Sequence, residues 1–322
     1  MGYMEKRKHQ KRENTLISLI IFLLTLFTFI PFLAHLDWKF DFFGEIRFYY
    51  ITVSLLLIIY CLGVRKWTFA LLGLLIIIAN AAIIYAHSGR PFNQKSEEIN
   101  GENFAMLLYT QDKKAKDYQE LQNILATYNP DIALIFAKAG KSGKLPEQIN
   151  KNYPYSKKLL TGKKKETIII SSRPFEASGN LSDNDGAIAP WITVLAAGRP
   201  ISIAAANIAT PWKKAKDYKN ASRTVLALAE FSKSRDEPTI LAGNFAASAG
   251  SELLRPLSSL AELRALEGIQ PVYPAFLPVF LRFTPKHVYT HPGIVAESVE
   301  RLSESESRIM PMLLKVKVLK EQ

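Results

Sequence analysis

Cysteine is almost absent from this chain of 322 residues, which contains one, Cys61. A single thiol cannot form an intramolecular disulfide, so the fold does not depend on disulfide bonds. Histidine is also scarce, with five residues, and the 29 acidic residues are outnumbered by 41 lysines and arginines, which gives a net charge of +12. The sequence contains no CxxC, HExxH, Walker-type or GxGxxG pattern, which excludes the common zinc, P-loop and dinucleotide-binding motifs.

Long uncharged apolar runs, in contrast, are present and are confined to the first part of the chain. They cover residues 15–36, 48–64 and 67–86, and each is about as long as the roughly 17–25 residues that a helix needs to cross a bilayer. A signal peptide would have one short run and a cleavage site, and the two further runs argue against one. We therefore predict three transmembrane helices rather than buried helices of a soluble core.

The distribution of lysine and arginine predicts the orientation of these helices. The leader, residues 1–14, is basic, and the turn between the second and third runs carries Arg65 and Lys66, whereas the loop at 37–47 holds three acids against two bases. Basic segments stay in the cytoplasm, so three crossings place the chain after about His87 outside it. This predicts a multi-pass protein of the cell inner membrane, with a cytoplasmic N-terminus and a periplasmic, or otherwise extracytoplasmic, C-terminal domain.

A polar segment with glycine and proline, residues 88–101, follows the membrane anchor at 15–87 and is predicted to be a linker. From 102 to 322, short apolar strands alternate with amphipathic helices, and we expect about nine strands in one α/β domain. The hexapeptide KKAKDY occurs at 113–118 and again at 213–218. Each copy opens a helix that leads to another strand, which suggests two similar halves.

Five segments of this region have a characteristic order and spacing: YNPDIALIFAKAG, IIISSRPF, TILAGNFAAS, PKHVYTHPGIVAES and SRIMPMLLKVKV. In that order they resemble motifs of the endonuclease/exonuclease/phosphatase superfamily, particularly its membrane-anchored bacterial branch. The resemblance covers residues 102–318. It implies an α/β fold, a four-layer α-β-β-α sandwich, preceded here by the three transmembrane helices.

Enzymes of this superfamily hydrolyse phosphoesters with Mg²⁺-assisted water, and the resemblance implies where their functional groups would lie. Such chemistry needs hard oxygen ligands for the metal, a base, and cations that neutralise phosphoryl charge. The corresponding positions here are Thr110, Ala137, Ala209, Asn244, Ala246, Lys286, His287, Arg308 and Ile309. Only His287 keeps the family residue, and Lys286 and Arg308 replace carboxylates. We therefore predict a pseudoenzyme with no metal site and no cofactor; the alternative is retained Mg²⁺.

An excess of lysine marks the segment that follows the second of these strands. Residues 138–165 contain nine lysines and one acid. Lysine binds phosphate as a point charge, so such residues could hold an anion without cleaving it. The alternatives are a solvated basic face and contact with anionic lipid. The predicted anion-binding residues are Lys138, Lys163, Lys164, Lys165, Arg173, Lys286 and Arg308.

Three functions remain open from the sequence. The one we favour is a membrane-anchored, inactive phosphodiesterase-like domain that binds a partner protein or an anionic headgroup or polymer. The others are a residual Mg²⁺-dependent phosphodiesterase and a purely structural envelope subunit. A serine–histidine pair, from Ser171 or Ser172 with His287 or His291, lacks an Asp placed to orient the histidine. Nucleic-acid binding is not expected, because aromatic residues do not interleave with the basic segment.

Overall fold

The computed structural model describes residues 3–88, 100–111, 118–138, 145–161, 165–183, 186–266, 272–276, 282, 284–302 and 308–320. The chain divides into two compact units. The first contains Met1–His87 together with Ala249–Glu252, and the second contains Ser88–Ser248 and Leu253–Gln322.

The first unit is helical, as the apolar runs predict. Two of its helical stretches, Arg7–Leu33 and Trp67–Ala86, are long and apolar enough to span a bilayer. A third candidate is the pair Trp38–Glu45 and Arg47–Gly63, which is bent by 53°. The N-terminal region therefore carries two or three helices that suit a membrane. The α-helices of this unit are α1 (Tyr3–Phe29), α2 (Phe42–Glu45), α3 (Arg47–Gly63) and α4 (Trp67–Ser88).

A buried polar cluster joins three helices of this unit. Arg47, at the start of α3, donates from Nη1 to the carbonyl oxygen of Thr28 in α1 (2.8 Å) and to Oδ1 of Asn80 in α4 (3.4 Å). Asn80 Nδ2 in turn donates to Thr28 Oγ1 (2.8 Å). Polar groups in an apolar bundle need such partners, because no water is available to replace them. The cluster therefore fixes the three helices against one another.

The segment Ala249–Glu252 joins the first unit through the loop that follows α1. Asp41 Oδ2 accepts a hydrogen bond from Ser251 Oγ (2.8 Å), and Asp41 Oδ1 accepts one from the backbone N–H of Glu252 (2.7 Å). Asp41 is completely buried, so these two bonds compensate a carboxylate that water does not reach. Two stretches that are distant in sequence thus meet inside this unit.

The second unit is an α/β domain. Its helices are α5 (Gln119–Tyr128), α6 (Glu147–Asn152), α7 (Ala215–Lys233) and α8 (Arg255–Ser259). Its described strands are β1 (Gly101–Thr110), β2 (Ile132–Lys138), β3 (Tyr155–Thr161), β4 (Lys165–Ser171), β5 (Ala177–Asp183), β6 (Gly186–Ala196), β7 (Arg199–Asn207), β8 (Thr239–Asn244), β9 (Arg264–Ala265), β10 (Lys286–Thr290), β11 (Ile294–Arg301) and β12 (Met312–Leu319).

These strands form two six-stranded sheets with related topology. Sheet A has the order β11-β12-β1-β2-β4-β3 and sheet B the order β5-β6-β7-β8-β10-β9. In sheet A, β1 and β2 are parallel and α5 connects them; in sheet B, β7 and β8 are parallel and α7 connects them. Each sheet is therefore built around one βαβ unit, as the repeated hexapeptide suggested.

Alternation of side chains along the strands produces four layers. Inward-facing residues of both sheets, such as Met106 and Ile203, belong to one buried cluster between the sheets. The outer face of sheet A packs against α5 through Leu121, and the outer face of sheet B packs against α7 through Val225. The order is helix, sheet, sheet, helix, which confirms the predicted four-layer sandwich.

The strands that the sequence patterns did not predict lie at the edges of the sheets. The apolar runs of this domain fall on the eight inner strands, whereas β3, β5, β9 and β11 are the four edge strands. β5, with the sequence ASGNLSD, has no apolar run, and β3, YSKKLLT, is rich in lysine. Edge strands are commonly short or charged because this discourages pairing with other chains. The estimate of about nine strands was low for this reason.

Candidate functional site

The candidate site lies at the carboxyl ends of β1, β2, β7 and β8. Asn207, the last residue of β7, donates from Nδ2 to the carbonyl oxygens of Ala137 (3.2 Å) and Glu166 (3.0 Å). Ala137 belongs to β2 in sheet A, so one amide connects the two sheets at this end. Asn244, the last residue of β8, lies beside Asn207 in the parallel ladder, and Thr110 ends β1. The structure thus brings together positions that the sequence comparison selected.

The turn after β8 has a backbone shape that its present residue does not favour. Asn244 is buried and faces Lys286 across β8 and β10. The N–H groups of Phe245 and Ala246 both donate to the carbonyl oxygen of Pro285, at 2.8 and 3.2 Å. Ala246 has a φ of 52°, in the left-handed region that asparagine adopts more readily than alanine. The turn therefore suits the asparagine that the resemblance implies here, although alanine supplies no polar group.

Lys286 is a buried cation that links the two sheets. Its side chain has no exposed surface, and Nζ donates to the carbonyl oxygens of Met310 (2.8 Å) and Leu108 (3.2 Å). Burial lowers the pKa of Lys286 to about 7, and the charge of Glu120 opposes that effect. The predicted role of Lys286 as an anion ligand is therefore corrected, because its ammonium group is enclosed and serves two carbonyls.

His287, the one residue retained from the family pattern, faces the other side of β10. Its ring lies edge-on to Phe245, with 6.0 Å between centroids, and close to Tyr289. Both neighbours belong to the cluster that covers the outer face of sheet B. Nε2 is 2.8 Å from the carbonyl oxygen of Ala247, and because a carbonyl only accepts, Nε2 is the donor. His287 thus fastens the turn after β8 and does not point between the sheets.

Three lysines converge beside Asn207, and we call them the lysine cluster: Lys138, Lys165 and Lys213. Lys138, at the end of β2, and Lys165, at the start of β4, are direct cross-strand neighbours. Lys165 Nζ donates to Oδ1 of Asn207 (3.4 Å). Burial, and then the charges of Lys138 and Lys213, lower the pKa of Lys165. Like charges placed directly opposite each other destabilise a sheet, and a bound anion would relieve that repulsion.

Besides Asn207, two polar residues at this end were not predicted from the sequence. Lys213 ends the short 3₁₀ helix Pro211–Lys213 that follows β7, and its position in PWKK just after a strand end was the available signal. Gln111 follows Thr110, is 9% exposed, and its Oε1 has no hydrogen-bond partner within the described part of the chain. If the family motif is aligned one residue later along the first strand, its asparagine position falls on Gln111 instead of Thr110.

The remaining predicted site positions lie near the ends of strands β7 and β12 or outside the described residues. Ala209 lies two residues beyond β7 and is exposed. Arg308 and Ile309 precede β12, and Ile309 packs against the cluster between the sheets. Lys163 and Lys164 lie outside the described residues. None of the three that are described adds an acidic group to the site.

Arg173 lies at the opposite end of the domain from the other predicted ligands. Its Nη1 donates to Oε1 of Glu102 (2.6 Å), and its Nε donates to Oδ1 of Asp131 (2.8 Å). Glu102 is near the start of β1 and Asp131 immediately precedes β2, whereas the candidate site is at the other ends of these strands. The prediction that Arg173 binds an anion at the site is therefore corrected: two carboxylates at the far end of sheet A neutralise it.

The groups at the candidate site do not fit a magnesium ion. Mg²⁺ prefers near-octahedral oxygen ligands and is usually bound through carboxylates, whereas the residues gathered here are Asn207, Asn244 and lysines. Within the described ranges, no group of three or more His, Cys, Asp or Glu residues could hold a metal ion. A metal-activated water is therefore not part of the chemistry that these residues support.

No family model and no curated protein matches the sequence. The structure is similar to an endonuclease/exonuclease/phosphatase from Beutenbergia cavernae, with a TM-score of 0.52 and 13% identity over 68% of this chain and 72% of that chain. It is also similar to one from Bacteroides vulgatus, with a TM-score of 0.52 and 10% identity over 67% of this chain and 99% of the other. A third similar structure is the 3′ phosphatase NExo from Neisseria bound to a product DNA hairpin (TM-score 0.53, 13% identity, 66% and 98% covered). The second unit therefore has the endonuclease/exonuclease/phosphatase fold.

Proposed function

We propose that the protein is a membrane-anchored, catalytically inactive phosphodiesterase-like protein that binds a phosphate-bearing anionic ligand outside the cytoplasm. The observation that carries this proposal is the lysine cluster beside Asn207. It lies at the end of the fold where the family resemblance implies metal-binding carboxylates. Cations at that place favour an anion and disfavour a metal ion.

The magnitudes support binding rather than hydrolysis. Two like charges about 4 Å apart repel by about 4 kcal/mol at an effective dielectric constant near 20, so the lysine cluster opposes a divalent cation. The same side chains can donate charge-assisted hydrogen bonds to phosphate oxygens. Hydrolysis would also need a base, and neither the hydroxyl of Thr110 nor the amide of Asn244 accepts a proton near neutral pH.

The proposed location is the cell inner membrane, with the second unit on its extracytoplasmic side. The basic leader and the pair Arg65 and Lys66 favour cytoplasmic placement of those segments. The hydrogen bonds of Asp41 to Ser251 and Glu252 support placing the loop after α1 and the chain at 249–252 on one side of the membrane. Because α4 is long enough to cross, the two meet only if α3 crosses as well, which supports three spans.

Titration of the full chain in neutral detergent micelles with inorganic phosphate tests the proposed ligand class. We expect saturable binding that Lys165→Met weakens about tenfold, since losing one charge-assisted hydrogen bond costs about 1.5 kcal/mol. Lys233→Met, at the exposed C-terminal end of α7, is the matched control and should bind like the wild type. Absence of binding, or equal weakening by both substitutions, contradicts an anion site at the lysine cluster.

A second assay separates this function from residual hydrolysis. The full chain is incubated with an aryl phosphodiester and Mg²⁺ or Mn²⁺, and we expect no turnover above the protein-free rate. Turnover that Asn244→Ala abolishes would overturn the proposed inactivity. If neither phosphate binding nor turnover is detected, binding of a partner protein and the structural-subunit function are the ones that remain.

A further inference from the structure

The segment between β9 and β10 has an unusually apolar sequence. Residues 271–283 are PVYPAFLPVFLRF, with no acid and one arginine. Of these, 272–276 and Arg282 are described. Phe276, at 78%, is the most exposed large apolar side chain in the described part of the chain, and Tyr273 is 40% exposed. Two exposed aromatic residues only three positions apart, within an apolar sequence, favour an interaction surface over a single exposed side chain.

Hydrogen bonds hold the backbone that carries these two rings. The N–H of Met310 donates to the carbonyl oxygen of Val272 (3.2 Å), and the N–H of Ala275 donates to that of Arg308 (2.9 Å). Val272 is fully buried, and Arg282 Nη2 donates to the carbonyl oxygen of Ala275 (2.7 Å). The exposure of the rings is therefore set by a backbone that is tied to the segment before β12.

Two arginines are tied to the backbone that carries the rings. The Arg282 side chain and the backbone carbonyl of Arg308 both hydrogen-bond to Ala275, the residue before Phe276, and Arg308 is exposed. Aromatic rings beside basic side chains are the combination found at membrane interfaces, where the rings lie at the level of the headgroups and the cations attract anionic lipid.

We propose that Tyr273, Phe276, Arg282 and Arg308 form a surface, the aromatic surface, that contacts the lipid bilayer. The bilayer is the expected occupant because only residues 89–100 separate α4 from β1. A short covalent connection to helices that suit a membrane gives the bilayer a high effective concentration relative to any free partner. This inference rests on none of the residues of the lysine cluster, so its test is independent of the proposed ligand binding.

Quenching by labelled lipid tests the inference in the full chain. Cys61→Ala removes the native thiol, and Phe276→Cys then carries an environment-sensitive fluorophore. The protein is reconstituted into phosphatidylcholine–phosphatidylglycerol vesicles in which some lipids bear a nitroxide near the headgroup. Leu226→Cys is the matched control, because Leu226 is an exposed apolar residue (43%) on α7.

We expect the label at position 276 to be quenched at least about threefold more than the label at 226, with a blue-shifted emission in vesicles relative to detergent. Equal quenching at the two positions overturns the inference. Self-quenching at position 276 that rises with protein density and does not depend on the nitroxide lipid would mean that the aromatic surface binds a second copy of the chain. That result also overturns the inference. Lys165→Met should leave the lipid quenching unchanged, which separates this test from the phosphate titration.

Discussion

The two ends of β1 and β2 carry their charges in opposite ways. At the amino ends, Arg173 is held between Glu102 and Asp131. At the carboxyl ends, Lys138 and Lys165 face each other across β2 and β4, with Lys213 close enough to lower the pKa of Lys165. Opposite charges stabilise the first end, whereas the lysine cluster gathers like charges at the second, where Glu166 is already paired with Lys158. Groups with perturbed pKa values often mark functional sites, which is why the proposed anion site is placed at the second end and a structural role at the first.

The largest expected effect is at the paired end. Arg173→Met leaves Glu102 and Asp131 without their shared cation, and removing one partner of a partly buried pair costs about 2–3 kcal/mol of the free energy of unfolding. Chemical denaturation of the full chain in detergent measures this loss, with the exposed Lys233→Met as the control. A change no larger than that of the control would contradict the structural role.

The same variant has a predicted pH dependence. Although burial raises it, hydrogen bonds from the N–H of Ala197 and from Arg173 hold the pKa of Glu102 below its ordinary value of 4.5. A lowered pKa in the folded state contributes stability above the ordinary value and loses it as the pH falls. The free energy of unfolding of the wild type should therefore exceed that of Arg173→Met by the full amount above pH 4.5, and the excess should shrink below that pH.

The next effect concerns Lys286, the enclosed cation between the sheets. Its pKa is lowered from 10.5 to about 7 in the folded protein, so between these values the unfolded state binds more protons. The free energy of unfolding should then rise with pH, by at most about 1.4 kcal/mol between pH 7 and pH 8. Denaturation at a series of pH values above 7 measures the rise, which Lys286→Met should remove. An equal rise in both proteins would contradict the assignment.

A smaller effect is expected in the turn after β8. Ala246 has a positive φ of 52°, so Ala246→Gly should raise the free energy of unfolding by about 1 kcal/mol through relief of backbone strain. The neighbouring Ala247 is outside the left-handed region, and Ala247→Gly should instead lower it by about 0.5–1 kcal/mol. Thermal unfolding of both variants measures the sign of each change in the free energy of unfolding. The same sign in both would count against strain at position 246.

The smallest effect on stability is expected at the lysine cluster. Lys165→Met removes one of two like charges that face each other, and such pairs destabilise a sheet by about 0.2–1 kcal/mol. The variant should be as stable as the wild type or slightly more stable, while its phosphate binding falls. A loss above about 1 kcal/mol would make Lys165 structural and would remove the contrast between the two ends.

The sequence predicted the interior of the fold better than its borders. Strands such as β2 and β8 are buried on both faces and therefore appear as continuous apolar runs. Edge strands such as β3 and β5 are specified by pairing on one side only, so their sequences keep little apolar pattern. The long apolar helices of the first unit were predictable for the same reason as the inner strands, because their sequences are apolar on nearly all sides.

For the site, the sequence predicted positions but not the directions of side chains. Asn207 and Asn244 lie next to each other because both end parallel strands, but only Asn244 was among the predicted positions. The enclosure of Lys286 and the outward direction of His287 depend on the alternation in β10 and on contacts with distant segments. The pairing of Arg173 with two carboxylates likewise depends on strand starts that meet only in the folded sheet.

Calorimetric titration of the full chain with Mg²⁺ in neutral detergent tests the central claim most directly. The lysine cluster and the amides beside it predict no saturable heat of Mg²⁺ binding, and no change on Asn244→Ala. Saturable binding of one Mg²⁺ ion that Asn244→Ala abolishes would contradict the account, because it would place a metal centre where the structure gathers cations.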